Sequence, residues 1–267
     1  MKRVLLEKPR EHVSVVRFNE PDRMNPMNFA MVEDLYGVLA EVSGDNDCKV
    51  VILTGAGAGF CSGMDLDDTG LPPGSDGLPM SRIATLAMDY MAGIVPALKG
   101  LRQPVVGAIN GPAVGGGFCV ALGCDIRVAA TSSCFRGAGI INGLTGTELG
   151  ISWLLPRIVG LSRANEILLT GRKVSAEEAE RIGLVSRVVE DGALMDSCLD
   201  MAAAICELST HGVAMTKKVL WSNLETSSLD AAIEMESRNQ LLVRLTTNNL
   251  AEFLKARSEG RKPVYED

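Results

Sequence analysis

Two nearly unbroken runs of branched aliphatic residues, "VVILT" at 50–54 and "PVVGAI" at 104–109, each empty into a cluster of glycines. A strand with apolar side chains on both faces must be covered on both faces, as in a parallel sheet between helical layers. "VSVVRF" (13–18) and "DIRVAA" (125–130) also read as strands, and helical periodicity such as "FAMVEDLYGVLAEV" (29–42) lies between strands. Strand and helix in alternation predict an α/β fold. "LPPGSDGLP" (71–79) is a breaker-rich loop. Beyond about residue 160 the texture turns helical. Ser175 with Glu178 three residues on has the spacing of a capping box, and Gly183 is placed to stop that helix. The stretches from Asp191, Gly212 and Ser228 are amphipathic at helical period. The expected division is an α/β core over 1–195 and a helical region over 196–267.

Composition narrows the function classes. The chain has 267 residues, 46% of them hydrophobic, enough for one sizeable core. A net charge of -7 argues against a nucleic-acid surface, although a backbone nest can still bind a small anion. No apolar run approaches the roughly 18–20 residues of a membrane span, and the first residues lack a signal-peptide core. Seven cysteines without a CxxC pair read as reduced thiols of a cytoplasmic protein, with no metal site.

The glycine clusters, "TGAGAGFCSGMD" (54–65) and "NGPAVGGGF" (110–118), do not fit the common phosphate or nucleophile motifs. "GAGAG" breaks the dinucleotide pattern at Phe60, and no lysine–serine pair of a P-loop follows either cluster. "GFCSG" is not G-x-S-x-G, and a Cys61 or Ser62 nucleophile would need a histidine base. The two histidines, His12 at a strand edge and His211 between helices, sit apart from any catalytic signal. Two readings remain. Glycines at a helix start expose N–H donors that can hold an oxyanion, or they simply allow a helix and a strand to pack closely.

In order along the chain, "NEPDRMNPMN" (19–28), "VVILTGAGAGFCSGMDL" (50–66), "QPVVGAINGPAVGGGF" (103–118), "CDIRVAA" (124–130), "SWLLPRIVG" (152–160), "EILLTGRKVSAEEAERIGLVSRVV" (166–189) and "EFLKARSEGRKPVY" (252–265) resemble the crotonase superfamily, the enoyl-CoA hydratase/isomerase family. The resemblance implies a spiral of ββα turns with a C-terminal helical region that supports homotrimers, often paired into hexamers. It implies an acyl-CoA thioester as substrate, with coenzyme A entering as part of it and no separate cofactor. It implies an oxyanion hole made by the N–H groups of Met64 and Gly116. The "RMNPMN" loop resembles the family's site for the CoA adenine and phosphates, so Arg23 and Met24 are candidate contacts, and Asp65 and Leu66 candidate neighbours of the adenine. Arg23 could equally be a solvated loop charge, and Asp65 a brace of the loop.

The sequence departs from that pattern at both hydratase glutamates. Their positions fall on Cys119, just after the triple glycine, and on Gly139, in "FRGAGI". General acid–base groups are each worth about 10²–10⁴ in rate, so water addition by the usual route is in doubt. A carboxylate does occur nearby: Glu148, in "TELG", matches a segment that carries the working acid in some isomerases and in a dehalogenase of the superfamily. Glu148 is the expected acid/base, its alternative role being to brace a turn. One carboxylate suits double-bond isomerisation. Hydration with an ordered water and a non-catalytic acyl-CoA binder are the alternatives. Asp89 and Tyr90 are weaker candidates for the acyl pocket.

Overall fold

The computed structural model describes residues 2–267. Its elements run β1 (Val4–Arg10), β2 (Val13–Phe18), α1 (Phe29–Gly44), β3 (Val50–Gly55), α2 (Met80–Ala92), α3 (Ile94–Gly100), β4 (Val105–Ile109), β5 (Ala113–Val114), α4 (Gly116–Gly123), β6 (Ile126–Ala130), β7 (Cys134–Arg136), α5 (Ile151–Val159), α6 (Leu161–Thr170), β8 (Val174–Ser175), α7 (Ala176–Arg181), β9 (Arg187–Val189), α8 (Leu194–Cys206), α9 (Thr210–Asn223), α10 (Leu229–Thr246) and α11 (Asn249–Glu259).

The apolar runs become the centre of a six-stranded sheet in the order β1-β2-β3-β4-β6-β9, parallel except for the β1–β2 hairpin. A smaller sheet has the order β5-β7-β8. Strands of consecutive turns alternate between the two sheets before a helix returns the chain, which makes the spiral. The period of two in a strand divides β3 between two cores. Val51 and Leu53 face one, built with α1, α3, α4, α5 and α6, whereas Val50 and Ile52 face the other, built with α8.

That second core runs across the division expected at residue 195. Leu194, Cys198, Leu199 and Ala202 of α8 pack on Val13, Val15, Val106 and Val128, so α8 is a layer of the sheet and not part of an appended helical region. The helices beyond it are held differently. Buried Lys217 of α9 donates to the carbonyls of Gln103 (2.8 Å) and Leu98 (3.3 Å) and pairs with Asp125 at 2.8 Å. Trp221 donates its indole N–H to the other oxygen of Asp125. Lys99 of α3 lies 3.9 Å over the Trp221 ring and 4.7 Å over Trp153 of α5, and Arg157 covers Trp153 at 3.9 Å. His211 sits in the first turn of α9 and not in a loop, and His12 turns the β1–β2 hairpin at φ +63°.

Helix α10 buries none of its residues, and it exposes Leu229, Leu241 and Leu245. Between α9 and the α10–α11 pair runs a groove of about 1420 Å³, lined by Val213, Leu220, Val243, Leu250, Phe253 and Tyr265. It shares no residue with the glycine loops. No helix of residues 2–267 is long and apolar enough to cross a membrane.

If α8 is a core layer, Leu199→Ala should cost about 2–5 kcal/mol in chemical denaturation, the range of a large-to-small change in a packed interior.

Candidate active site

The two glycine clusters meet. Cys61 bridges to Ala113, with Val114 N–H donating to Cys61 O at 2.9 Å, and Met64 bridges to Met27. At Gly63 the backbone is left-handed, φ +88°, and a Cβ there would lie 2.6 Å from Val114 O and 3.3 Å from Gly116 N. A Cβ on Gly117 would stand 2.2 Å from Cys61 O. Real Cβ contacts do not reach such distances, so side chains are barred from both positions. Close packing of main chain on main chain is therefore built in, as one sequence reading required.

The orientation of two amides follows from the planar trans peptide, in which C=O and N–H point in opposite directions. Gly63 O accepts from Met27 N–H at 2.7 Å, so the Met64 N–H points away from Met27. Gly115 O accepts from Cys119 N–H at 3.2 Å, so the Gly116 N–H points out of the N-terminus of α4. The first N–H groups of a helix have no partner within it. Met64 is partly exposed and Gly116 buried.

Glu148 reaches the same place from another element. Its Oε1 is 3.5 Å from where a Cβ on Gly115 would stand. The loop that brings it, 137–150, is anchored by the Cys119 thiol, which donates to Glu148 O at 3.4 Å, and by Ile151 N–H on the same carbonyl at 2.9 Å. The carboxyl is half-buried, and burial alone pushes its pKa above the ordinary value. Burial, and then the nearby Glu148, hold the Cys119 thiol well above its usual range, and burial pushes Cys61 up to about 12. Neither thiol is a nucleophile at neutral pH.

The 20–28 loop lies against the other side of the 61–65 segment. Arg23 grips Asp65 with two bonds of 2.7 Å and reaches Asp67 at 3.0 Å. Asp65 also accepts from the N–H groups of Asp67 and Asp68, and its side chain is fully buried. Its carboxylate therefore braces the loop, one of the two roles weighed for it. Beyond Gly63 there is no strand, only the single Met27–Met64 bridge. Met24 and Leu66 are exposed beside it, at 45% and 77%. Tyr90 packs inward on Phe29 and Tyr36, whereas Asp89 faces solvent.

Comparison with known proteins bears on this arrangement. Residues 8–267 match the family described as enoyl-CoA hydratase/isomerase. The chain belongs to that family. It is 50% identical to "Probable enoyl-CoA hydratase echA12" of Mycobacterium bovis, over 99% of this chain and 93% of that protein. It superposes with TM-score 0.94 and 45% identity on a probable enoyl-CoA hydratase/isomerase from Mycobacterium abscessus, covering 99% and 98% of the two chains. A monofunctional enoyl-CoA isomerase from M. smegmatis gives 0.74 and 45%, over 87% of this chain and 99% of that one. The crotonase fold expected from the motifs is thus the fold observed.

Within this enoyl-CoA hydratase/isomerase frame, the two missing glutamates have a steric counterpart. A Cβ on Gly139 would meet Thr145 O at 2.1 Å, because the 137–150 loop folds back over that position. At 119, the space beyond the short thiol is taken by the Glu148 main chain. The loop that delivers Glu148 closes position 139 to any side chain and lays its main chain against the thiol at 119.

Two residues that sequence reasoning passed over hold the glycine loops in place. Asn25, left-handed at φ +56° and buried, accepts from Glu20 N–H and donates to the carbonyls of Ala56 and Gly59. Asn110 accepts from Gly55 N–H and donates to Gly57 O. The signal was present in "RMNPMN" and "INGP", since asparagine tolerates left-handed backbone and satisfies turns with its side chain.

Gly117→Ala should fail to fold or lose most of its thermal stability, because the clash is with backbone. Gly116→Ala meets the flexible end of Met27 at 3.1 Å, so it should fold with a small shift in melting temperature. Asp65 is held down to about 2 from an ordinary 3.8, chiefly by the Arg23 hydrogen bonds. A depressed carboxyl stabilises the fold above its unfolded pKa and loses that contribution as pH falls through the folded one. Asp65→Asn should therefore melt earlier than wild type at neutral pH, and the gap should close between pH 3.8 and about 2.

Proposed function

We propose that the protein moves the double bond of an enoyl-CoA thioester, with Glu148 as the one acid/base and the N–H groups of Met64 and Gly116 as the oxyanion hole. The observation that carries this reading is the unpaired, half-buried Glu148 carboxylate beside Gly115, in a site whose two hydratase glutamate positions hold Cys119 and Gly139. Family membership and the 45% identity to an enzyme described as a monofunctional enoyl-CoA isomerase support it.

The chemistry is a proton relay. Glu148 removes a proton from the carbon α to the thioester of a 3-enoyl substrate. The electrons move into the carbonyl, and the resulting enolate oxygen is received by two donors already in place, each worth about 10²–10³ in rate in comparable sites. Glu148 then returns the proton to the γ-carbon, and the double bond becomes conjugated with the carbonyl. The raised pKa suits both halves, because a carboxylate closer to neutrality is a stronger base and its acid a ready donor. Arg23, clamped by Asp65, sets the loop on which Met24 and Leu66 offer apolar contacts to the CoA adenine. The exposed leucines of α10 form the interface of a homotrimer.

Purified protein should convert a 3-enoyl-CoA to its 2-enoyl isomer, followed by absorbance of the conjugated thioester. Glu148→Gln should lower that rate at least about 10²-fold. Full activity in that variant removes Glu148 from the mechanism. Binding without turnover across 3-enoyl and 2-enoyl thioesters would leave a carrier in place of an enzyme. The acid limb of the rate profile should fall above the ordinary glutamate value, in the direction of the Glu148 shift. Light scattering after gel filtration should return three or six times the mass of the chain, 28.4 kDa.

A further inference from the structure

Leu149 follows Glu148 and holds φ +45°, with Gly150 at +88° after it. Among the described residues, the other non-glycine residues with positive φ are His12, Met24 and Asn25. A leucine at such a position is strained, and glycine or asparagine would fit at less cost. What the leucine provides is contact: its Cδ1 lies 3.4 Å from where a Cβ on Gly116 would stand, and its side chain packs on the main core. The two successive left-handed residues carry the chain from the anchored carbonyl of Glu148 into α5 and leave the Glu148 carboxylate at Gly115.

We infer that Leu149 is a positioning residue for Glu148. Its left-handed backbone aims the carboxylate at the triple glycine, and its side chain covers the Gly116 side of the site. The inference rests on the acid/base reading of Glu148 given above. The groups around Glu148 are few. Cys119 faces it from α4. The 137–147 loop carries no titratable residue, Arg136 of β7 is turned to Gly171 O, and Arg157 of α5 is stacked on Trp153. Burial is the cause that raises the Glu148 carboxyl, and the Leu149 side chain on the Gly116 side and Ala138 on the Gly115 side are apolar parts of the surroundings.

Three variants separate the two contributions. Leu149→Ile keeps the volume, but a β-branched side chain resists the left-handed conformation. It should lower kcat by about tenfold or more, with KM within about twofold, since small misplacements of a reacting group cost that much. Leu149→Met keeps an apolar chain with no branch at Cβ and should stay within about twofold of wild type. Leu149→Asn accepts the backbone but removes the cover, so the acid limb of the kcat–pH profile should move to lower pH. Wild-type kcat in Leu149→Ile, or an equal loss in Leu149→Met, overturns the backbone role. An unmoved acid limb in Leu149→Asn overturns the cover, and it decides the matter if Leu149→Ile does not fold. Glu148→Gln measured in parallel keeps the two readings apart. An active Glu148→Gln sinks the acid assignment, whereas an inactive one with normal Leu149 variants sinks only this inference.

Discussion

Main chain packed on main chain is the constraint from which the site derives. The 61–64 segment and the start of α4 touch through Gly63 and Gly117, at distances that leave no room for a single extra carbon. Such contact leaves polar backbone groups to be satisfied at short range. Here the carbonyls of Cys61 and Gly63 and the N–H of Val114 find backbone partners, whereas the N–H groups of Met64 and Gly116 are turned away from those partners. Donors fixed by a folded backbone need no reorganisation when charge develops near them, which is why such groups suit a developing oxyanion.

Around that contact the chain invests in rigidity by different chemistry on each side. The asparagines at 25 and 110 tie the 55–60 loop with side-chain amides, and the Arg23–Asp65 pair locks the neighbouring turn. Both are short-range polar devices in places with little apolar surface to bury. On the far side the 137–150 loop is uncharged up to Glu148, and it is held by packing, by its own backbone hydrogen bonds and by one thiol donor. A lone carboxylate in an uncharged loop keeps its own titration, with burial as the dominant influence.

Much of this was readable from residue order. The apolar runs required strands buried on both faces, and β3 and β4 are so buried. Ser175 caps α7 through the Glu178 N–H, as its spacing implied, although the Glu178 side chain turns to Arg172 instead of completing the box. What could not be read were relations between distant segments. The allegiance of α8 to the sheet depends on which residues it meets, since its own periodicity is that of any amphipathic helix. The choice of Asp65 between ligand and brace depended on where Arg23 would lie. Glycine at 139 looked like a loss of function and is also a packing requirement, visible only once Thr145 is seen above it.

The ladder that joins α3, α5 and α9 has an optical consequence. The chain has two tryptophans, and both belong to it, stacked on the same lysine. Intrinsic emission from this protein therefore reports on one junction, the seat of α9 against α3 and α5. A spectrum taken during unfolding would follow the release of that seat and be nearly blind to the glycine loops.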